Sequence, residues 1–468
     1  MSRAEADYLV VGAGAAGMAF TDALITACDA SVVIVDERHA PGGHWNDAYP
    51  FVRLHQPSAY YGVNSLPLGS ERIDRHGPNE GYYEQAGAAE ICAYYERVMR
   101  EKLLPSGRVR YFPMSRYSEA PHRISSLLSG ETHEVEVRKK LVDARYLEAS
   151  VPTRSTPPFE VADGARCVPV NELTRLGEPA EKYVIVGAGK TAMDACGWLL
   201  KSGVAPSDIR WIKPREAWLQ NRTYAQGGEL VGTLFEGIAR QLEASAAASS
   251  LEDLFQRLEA AEQFVRVDQR VAPRMYRGPT LSVRELQELR RVENVVRLGK
   301  VRRIERDRIV LEQGTVPTSP KHLHVHCASR GLSSARAVPI FAGDRITLQS
   351  IRIGLLPFAA AVTAYVEATR TEREEKNRLC PSQPQPDSPL DWVRGTLVAM
   401  RAASLWQKEP DIAEWLEGAR LNAARGIRGQ LGDPEVRQTM QRYANSLRPA
   451  LARLNAILGA AEGQAKGS

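Results

Sequence analysis

The chain has 468 residues, 43% hydrophobic and 25% charged, the balance of a soluble globular protein with room for two or three domains. Its net charge of +5 comes from scattered Lys and Arg with no basic tail, which excludes a nucleic-acid footprint and leaves a slight bias toward anionic ligands. Cys28, Cys92, Cys167, Cys196, Cys327 and Cys380 form no close redox or metal pair, no signal-peptide pattern precedes Asp7, and no run is apolar enough to span a bilayer; a reduced, cytoplasmic protein with no membrane partner is expected.

The first element in chain order is a β-branched strand that runs into a glycine turn, YLVVGAGAAG. Gly12, Gly14 and Gly17 have the G-x-G-x-x-G spacing: one glycine for the sharp turn, one for backbone approach to a pyrophosphate, one for close helix–strand packing. The following helix N-terminus offers free N–H groups to phosphate. SVVIVDER then reads as a second strand ending in Asp36, an acid at the spacing that binds a ribose 2′-hydroxyl. Strand pieces from Gly107 to Tyr117 and from His122 to Leu147, with a turn at Ser129-Gly130, read as an antiparallel excursion.

A Pro-rich stretch over 152–170 reads as a linker. Beyond it, KYVIVGAGKTAMD repeats the strand–turn–helix pattern as G-x-G-x-x-A, with Gly187, Gly189 and Ala192. Gly189-Lys190-Thr191 is not a P-loop, because Val184 stands where that motif needs a glycine. The next strand, IRWIKPREAW, ends in Lys213 and Arg215 where an NAD site would offer an acid. That favours NADPH over NADH, with Arg215 the better phosphate clamp and Lys213 the second choice. Two turns therefore imply two dinucleotides, one carrying electrons in as nicotinamide and the other a bound flavin.

The remaining elements are helical or buried. Residues 230–264 have helical spacing and read as an insertion, either a wall over the site or plain scaffold. HLHVHC places His322, His324 and His326 on one face of a strand, and a buried sheet position is preferred to a metal site there. CPSQPQPDSP is a Pro-rich connection, and Leu390 onward is helical in composition, with Trp392, Trp406 and Trp415 as anchors on the body or on a second subunit.

Between the two turns, GGHW and YPFVRLHQPSAYYGVNS resemble segments of the class B flavoprotein monooxygenases: flavin-containing, N-hydroxylating and Baeyer–Villiger enzymes. LQSIRIGLLPFAAAVTAYVEA resembles their C-terminal flavin segment, and the likeness covers about residues 7–368. It implies an α/β fold with two Rossmann-like dinucleotide-binding domains, a mainly helical insertion and a helical C-terminal extension. FAD would bind residues 1–151 and 326–380, NADPH residues 171–325, and the extension would span 381–468.

The same likeness implies flavin contacts at Gly43, Trp45, Gln56 and Gln349, nucleotide contacts at Gly187, Gly189 and Thr191, and catalytic roles for Asn64 and His55. Asn64 would donate to a flavin C4a-peroxide or to NADP, and His55 would tune protonation by titrating near neutral pH. The implied reaction is NADPH- and O2-dependent oxygenation of a small molecule. The Baeyer–Villiger fingerprint is absent from PPFEVADGARCVPVNEL, His55 replaces that branch's acid, and CASRGL replaces a late Ala-Thr-Gly. These departures favour oxygenation at nitrogen or sulfur. They also leave open an NADPH-dependent flavin oxidoreductase or oxidase, and a non-enzymatic nucleotide-binding subunit. A disulfide reductase is disfavoured, since no Cys lies between His39 and Asn64. Association of copies through the C-terminal helices is a further expectation.

Overall fold

The computed structural model describes residues 2–149, 151–328 and 335–466. The CASRGL substitution noted above lies largely outside these residues, from position 329 on.

The first domain begins with β1 (Ser2–Val11), α1 (Ala15–Ala27) and β2 (Val32–Val35). All four residues of β2, Val-Val-Ile-Val, are buried, as suits a parallel strand covered on both faces. The domain continues through α2 (Ala88–Val98), β3 (Val109–Phe112), β4 (Ser115–Ser118), β5 (Arg123–Ser126) and β6 (Thr132–Asp143). Strands β6, β1, β2 and β3 are parallel neighbours. Strands β4 and β5 form the antiparallel excursion onto β6, and Gly130 takes the left-handed conformation in its turn (φ 70°).

The stretch 152–170, expected as a linker, instead supplies two short strands to the second domain: β7 (Glu160–Val161) and β8 (Cys167–Pro169). Next come β9 (Lys182–Val186), α3 (Lys190–Lys201), β10 (Ile209–Ile212) and β11 (Ala217–Asn221). The insertion is α4 (Val231–Ala247) and α5 (Leu251–Ala260), followed by β12 (Phe264–Val265), β13 (Met275–Leu281), α6 (Val283–Arg290) and β14 (Val295–Val296). A small meander, β15 (Val301–Ile304), β16 (Arg308–Leu311) and β17 (Gly314–Pro317), leads to β18 (His322–His326). The second Rossmann sheet has the order β14-β10-β9-β18-β8, all parallel. The three histidines thus sit in a buried strand near its middle. His324 is held by Thr318 Oγ1 (2.8 Å) and the Arg166 carbonyl (2.8 Å), and His322 by Thr318 (3.2 Å).

The chain then rejoins the first sheet through β19 (Phe341–Ala342) and β20 (Arg345–Thr347), which lies parallel to β6. Helix α7 (Leu356–Thr369) follows, and its alanine-rich face packs against α1 in the first core. The C-terminal region is α8 (Arg373–Leu379), α9 (Pro389–Trp406), α10 (Pro410–Gly418) and α11 (Pro434–Lys466). Ser388 and Asp391 form a capping box on α9, with Pro389 in its first turn.

All three tryptophans of this region anchor on the chain's own body. Trp406 donates to the Leu379 carbonyl (2.8 Å) and meets Phe358 edge-on. Trp415 stacks on Tyr365. Trp392 closes an aromatic cluster with Phe255 and Phe264, joining the extension to the insertion. The insertion's α4 faces α11 through Arg442, which pairs with Glu236 and Glu243 (2.7 Å each). No helix among the described residues is long and apolar enough to cross a membrane.

Candidate functional site

At the first turn, Gly12 has φ 110° and donates to the Val35 carbonyl (2.8 Å), so the chain reverses at the end of β1 beside β2. A Cβ on Gly17 would fall 2.0 Å from the Gly12 carbonyl oxygen, so only glycine lets α1 rise this close to the turn. Gly14 lies against Gly43 of GGHW: a Cβ on Gly43 would stand 2.9 Å from the Gly14 Cα. The floor between them is bare backbone. Asp36 accepts from the N–H of Ala13 (2.7 Å) and of Arg38 (2.8 Å), one bond on each carboxylate oxygen. A second lone pair on each oxygen stays available. Burial, the leading influence, raises its pKa against those two bonds.

The second turn has the same build. Gly187 (φ 144°) donates to the Ile212 carbonyl (3.1 Å), and Ala192 is fully buried where a third glycine would stand. A Cβ on Gly189 would meet nothing within 4 Å, which leaves open space over the N-terminus of α3. One cavity of about 340 Å³ is lined by Gly12, Gly14 and Asp36 of the first unit and by Lys190 and Thr191 at the start of α3 in the second. Gly43, Trp45, His55 and Gln56 line it as well. The groups present fit two dinucleotides: two helix N-termini, two glycine turns, an acid at the end of β2 and the exposed Arg215 after β10.

A family model described as an NAD(P)-binding Rossmann-like domain matches residues 10–70, the first turn through the loop bearing His55. An uncharacterised protein of Mycobacterium tuberculosis is 47% identical over 437 residues, 93% of this chain and 81% of that one. A Mycobacterium bovis protein matches to the same extent. The chain belongs to the family of these mycobacterial proteins. Among solved structures it is similar to a flavin-containing monooxygenase from Stenotrophomonas maltophilia, at 15% identity over 80% of this chain and 98% of that one, with a TM-score of 0.46. It is also similar to cyclohexanone monooxygenase from Rhodococcus sp. Phi1 bound to NADP+, at 13% identity over 87% and 99%, with a TM-score of 0.45. Superpositions this loose assign no role to any residue of the chain.

In this member of the mycobacterial family, several expected site residues are placed elsewhere. Asn64 does not line the cavity; its side-chain oxygen accepts from the Leu421 N–H (3.1 Å), tying the loop to the C-terminal region. Gln349 is 1% exposed and bonds backbone only, donating to the Val338 carbonyl (2.8 Å) and accepting from the Val338 N–H (3.1 Å). Lys213 is buried over the Trp211 ring and paired with Glu216, so it does not reach a ribose phosphate. Arg215 is exposed and has no partner among the described residues. The insertion, residues 230–264, contributes nothing to the cavity wall.

His55 does line the cavity, and its buried Nδ1 has no hydrogen-bond partner among the described residues. The expectation that it titrates near neutral pH is corrected. Burial first, then the nearby charges of Lys190 and Arg222, pull its pKa down to about 3, and the imidazole stays neutral. Its carbonyl accepts from Thr280 Oγ1, and Thr280 is held in turn by the buried Arg222.

Sequence reasoning missed a network across the domain boundary. Tyr49 Oη donates to Asp194 (2.6 Å) on α3, and Lys190 pairs with the other oxygen of that carboxylate. Phe51 stacks on Trp198 of the same helix (4.8 Å). The only signal was Lys190 itself, in a tripeptide that fails as a P-loop. Gln385, from the Pro-rich connection, also lines the cavity, and nothing in its sequence context marks it.

Proposed function

We propose that the chain is an FAD-dependent, NADPH-using monooxygenase that oxygenates a small molecule at nitrogen or sulfur. The observation that carries this reading is one cavity lined both by the first glycine turn and by Lys190 and Thr191 at the start of α3, so that a nucleotide on each unit would face the other. The first turn takes FAD: α1 presents its N-terminus to the diphosphate, and Asp36 has lone pairs left for ribose hydroxyls. The second turn takes NADPH. Arg215, exposed just past the end of β10, is the clamp for the extra phosphate, since β10 ends beside Gly187.

The bound cofactors supply hydride transfer and oxygen activation; the protein supplies placement and exclusion of water. Leu54, Val52, Leu356 and Pro357 form an apolar wall. Trp45 is fixed by its hydrogen bond to Tyr61 Oη (2.7 Å). His55, held neutral, can donate from one ring nitrogen and accept at the other. The missing Baeyer–Villiger fingerprint and the neutral imidazole in place of that branch's acid support nitrogen or sulfur over ketone oxidation.

One observation favours a second reading, an NADPH-dependent flavin oxidoreductase or oxidase without oxygen insertion. Asn64, the expected donor to activated oxygen, is not among the residues that line the cavity, and its side-chain oxygen accepts from the Leu421 N–H. Turnover of a panel of amines, sulfides and ketones with NADPH under heavy-isotope oxygen gas separates the two. The monooxygenase reading predicts label in an N-oxide, hydroxylamine or sulfoxide. Return of all consumed oxygen as hydrogen peroxide across the panel would establish the second reading instead.

A further inference from the structure

The amide of Gln349, the expected flavin-ring contact, is committed to the backbone of Val338 and Thr347. A different glutamine reaches the cavity. Gln385 comes from the Pro-rich connection, beyond the end of the sequence resemblance near Ala368. That connection is stitched to the flavin-segment match. Gln383 forms an antiparallel bridge with Ser350, its N–H donates to the Ser350 carbonyl (3.0 Å), and its amide donates to the Ile351 carbonyl (2.8 Å). Two residues on, Gln385 Nε2 donates to Ser350 Oγ (2.9 Å). That single bond orients the amide. Its second N–H and its carbonyl oxygen have no partner among the described residues, and Gly354, Leu356 and Pro357 at the start of α7 line the same wall.

We propose that Gln385 is the glutamine that contacts the flavin ring in this protein, in place of Gln349. The inference rests on reading the cavity as an FAD site. The ring's polar edge is an imide, an N–H flanked by two carbonyls. A primary amide with one free N–H and a free carbonyl is complementary to it. The flavin site then includes a side chain from the C-terminal extension, placed there by the Ser350–Gln383 bridge.

The test uses the full-length chain and four variants: Gln385→Met, which keeps the volume and removes both hydrogen bonds; Gln385→Glu, which adds charge at the ring edge; Gln349→Met; and Ser350→Ala. Each is titrated as apoprotein with FAD, and the flavin visible spectrum, reduction potential and apoprotein Tm are recorded. Two neutral hydrogen bonds correspond to roughly a tenfold rise in FAD Kd for Gln385→Met. The visible band should shift, while the apoprotein Tm should fall no further than in Ser350→Ala, which removes the same Gln385–Ser350 bond. Gln385→Glu should make the potential more negative, because a carboxylate beside the ring disfavours the electron-rich reduced flavin. Gln349→Met should lower Tm without changing the spectrum. If the wild type binds FAD and neither Gln385 variant alters Kd, spectrum or potential, the proposal is overturned and the cavity reading stands. It is equally overturned if Gln349→Met alone shifts the spectrum. A wild-type chain that takes up no FAD would overturn the cavity reading and this proposal together.

Discussion

His55 is kept uncharged in the cavity wall, near the charges of Lys190 and Arg222, and this has a consequence for stability. In the unfolded chain the imidazole titrates at about 6.5. In the folded protein burial and the charges of Lys190 and Arg222 hold it down to about 3, and His44 is held to about 4, with burial the leading cause. Between these values the unfolded state binds protons that the folded state does not, so stability falls as pH drops below about 6.5. His55→Asn should therefore show a shallower loss of Tm from neutral to mildly acidic pH, measured by melts at stepped pH; parallel curves would contradict the burial argument. Arg215 and Lys213 make a paired test. Arg215→Ala should raise KM for NADPH about tenfold or more and leave NADH little changed, through loss of charge-assisted bonds. Lys213→Ala should leave the ratio of NADPH to NADH use unchanged but destabilise the fold by about 1–3 kcal/mol, because buried Glu216 loses its near partner and keeps only the longer pair with Arg297 (3.4 Å). The sequence showed cations after β10, but only side-chain placement separates the buried one from the exposed one. The Asn64 contact was illegible for the same kind of reason: its partner, Leu421, is 357 residues away.

At the scale of elements, the two strand–turn–helix units were legible because their glycines are demanded by local geometry. Gly17→Ala tests that demand: the added Cβ would collide with the Gly12 carbonyl, and overpacking of this kind costs about 1–3 kcal/mol. A thermal melt should show the loss, together with weaker FAD retention. The strands β7 and β8 were illegible because they are two and three residues long and pair with β15 and β18, more than 100 residues on. A Pro-rich composition says loop, and distant partners override it. The insertion was recognisable by its helical spacing and the extension by its composition, but what they face was not. Trp392 joins them by packing on Phe255 and Phe264. Trp392→Ala should cost about 3–5 kcal/mol in chemical denaturation. It should leave nucleotide selectivity intact, since the cluster does not touch the cavity.

At the scale of the molecule, the C-terminal region is built into the first domain rather than appended to it. Trp406 sits in the same core as α1 and α7, and the Pro-rich connection pairs with Ser350. A chain truncated after α8 should be insoluble or fail to bind FAD, checked by expression and flavin content. The two Rossmann domains meet through Tyr49, Asp194 and Lys190, directly beside the cavity. The central claim is that this cavity brings a nicotinamide to a bound flavin. Anaerobic stopped-flow absorbance of the FAD-loaded chain mixed with NADPH or NADH tests it most directly. The account predicts that NADPH bleaches the flavin band and does so at lower concentration than NADH. A bound flavin that neither nucleotide reduces would contradict it.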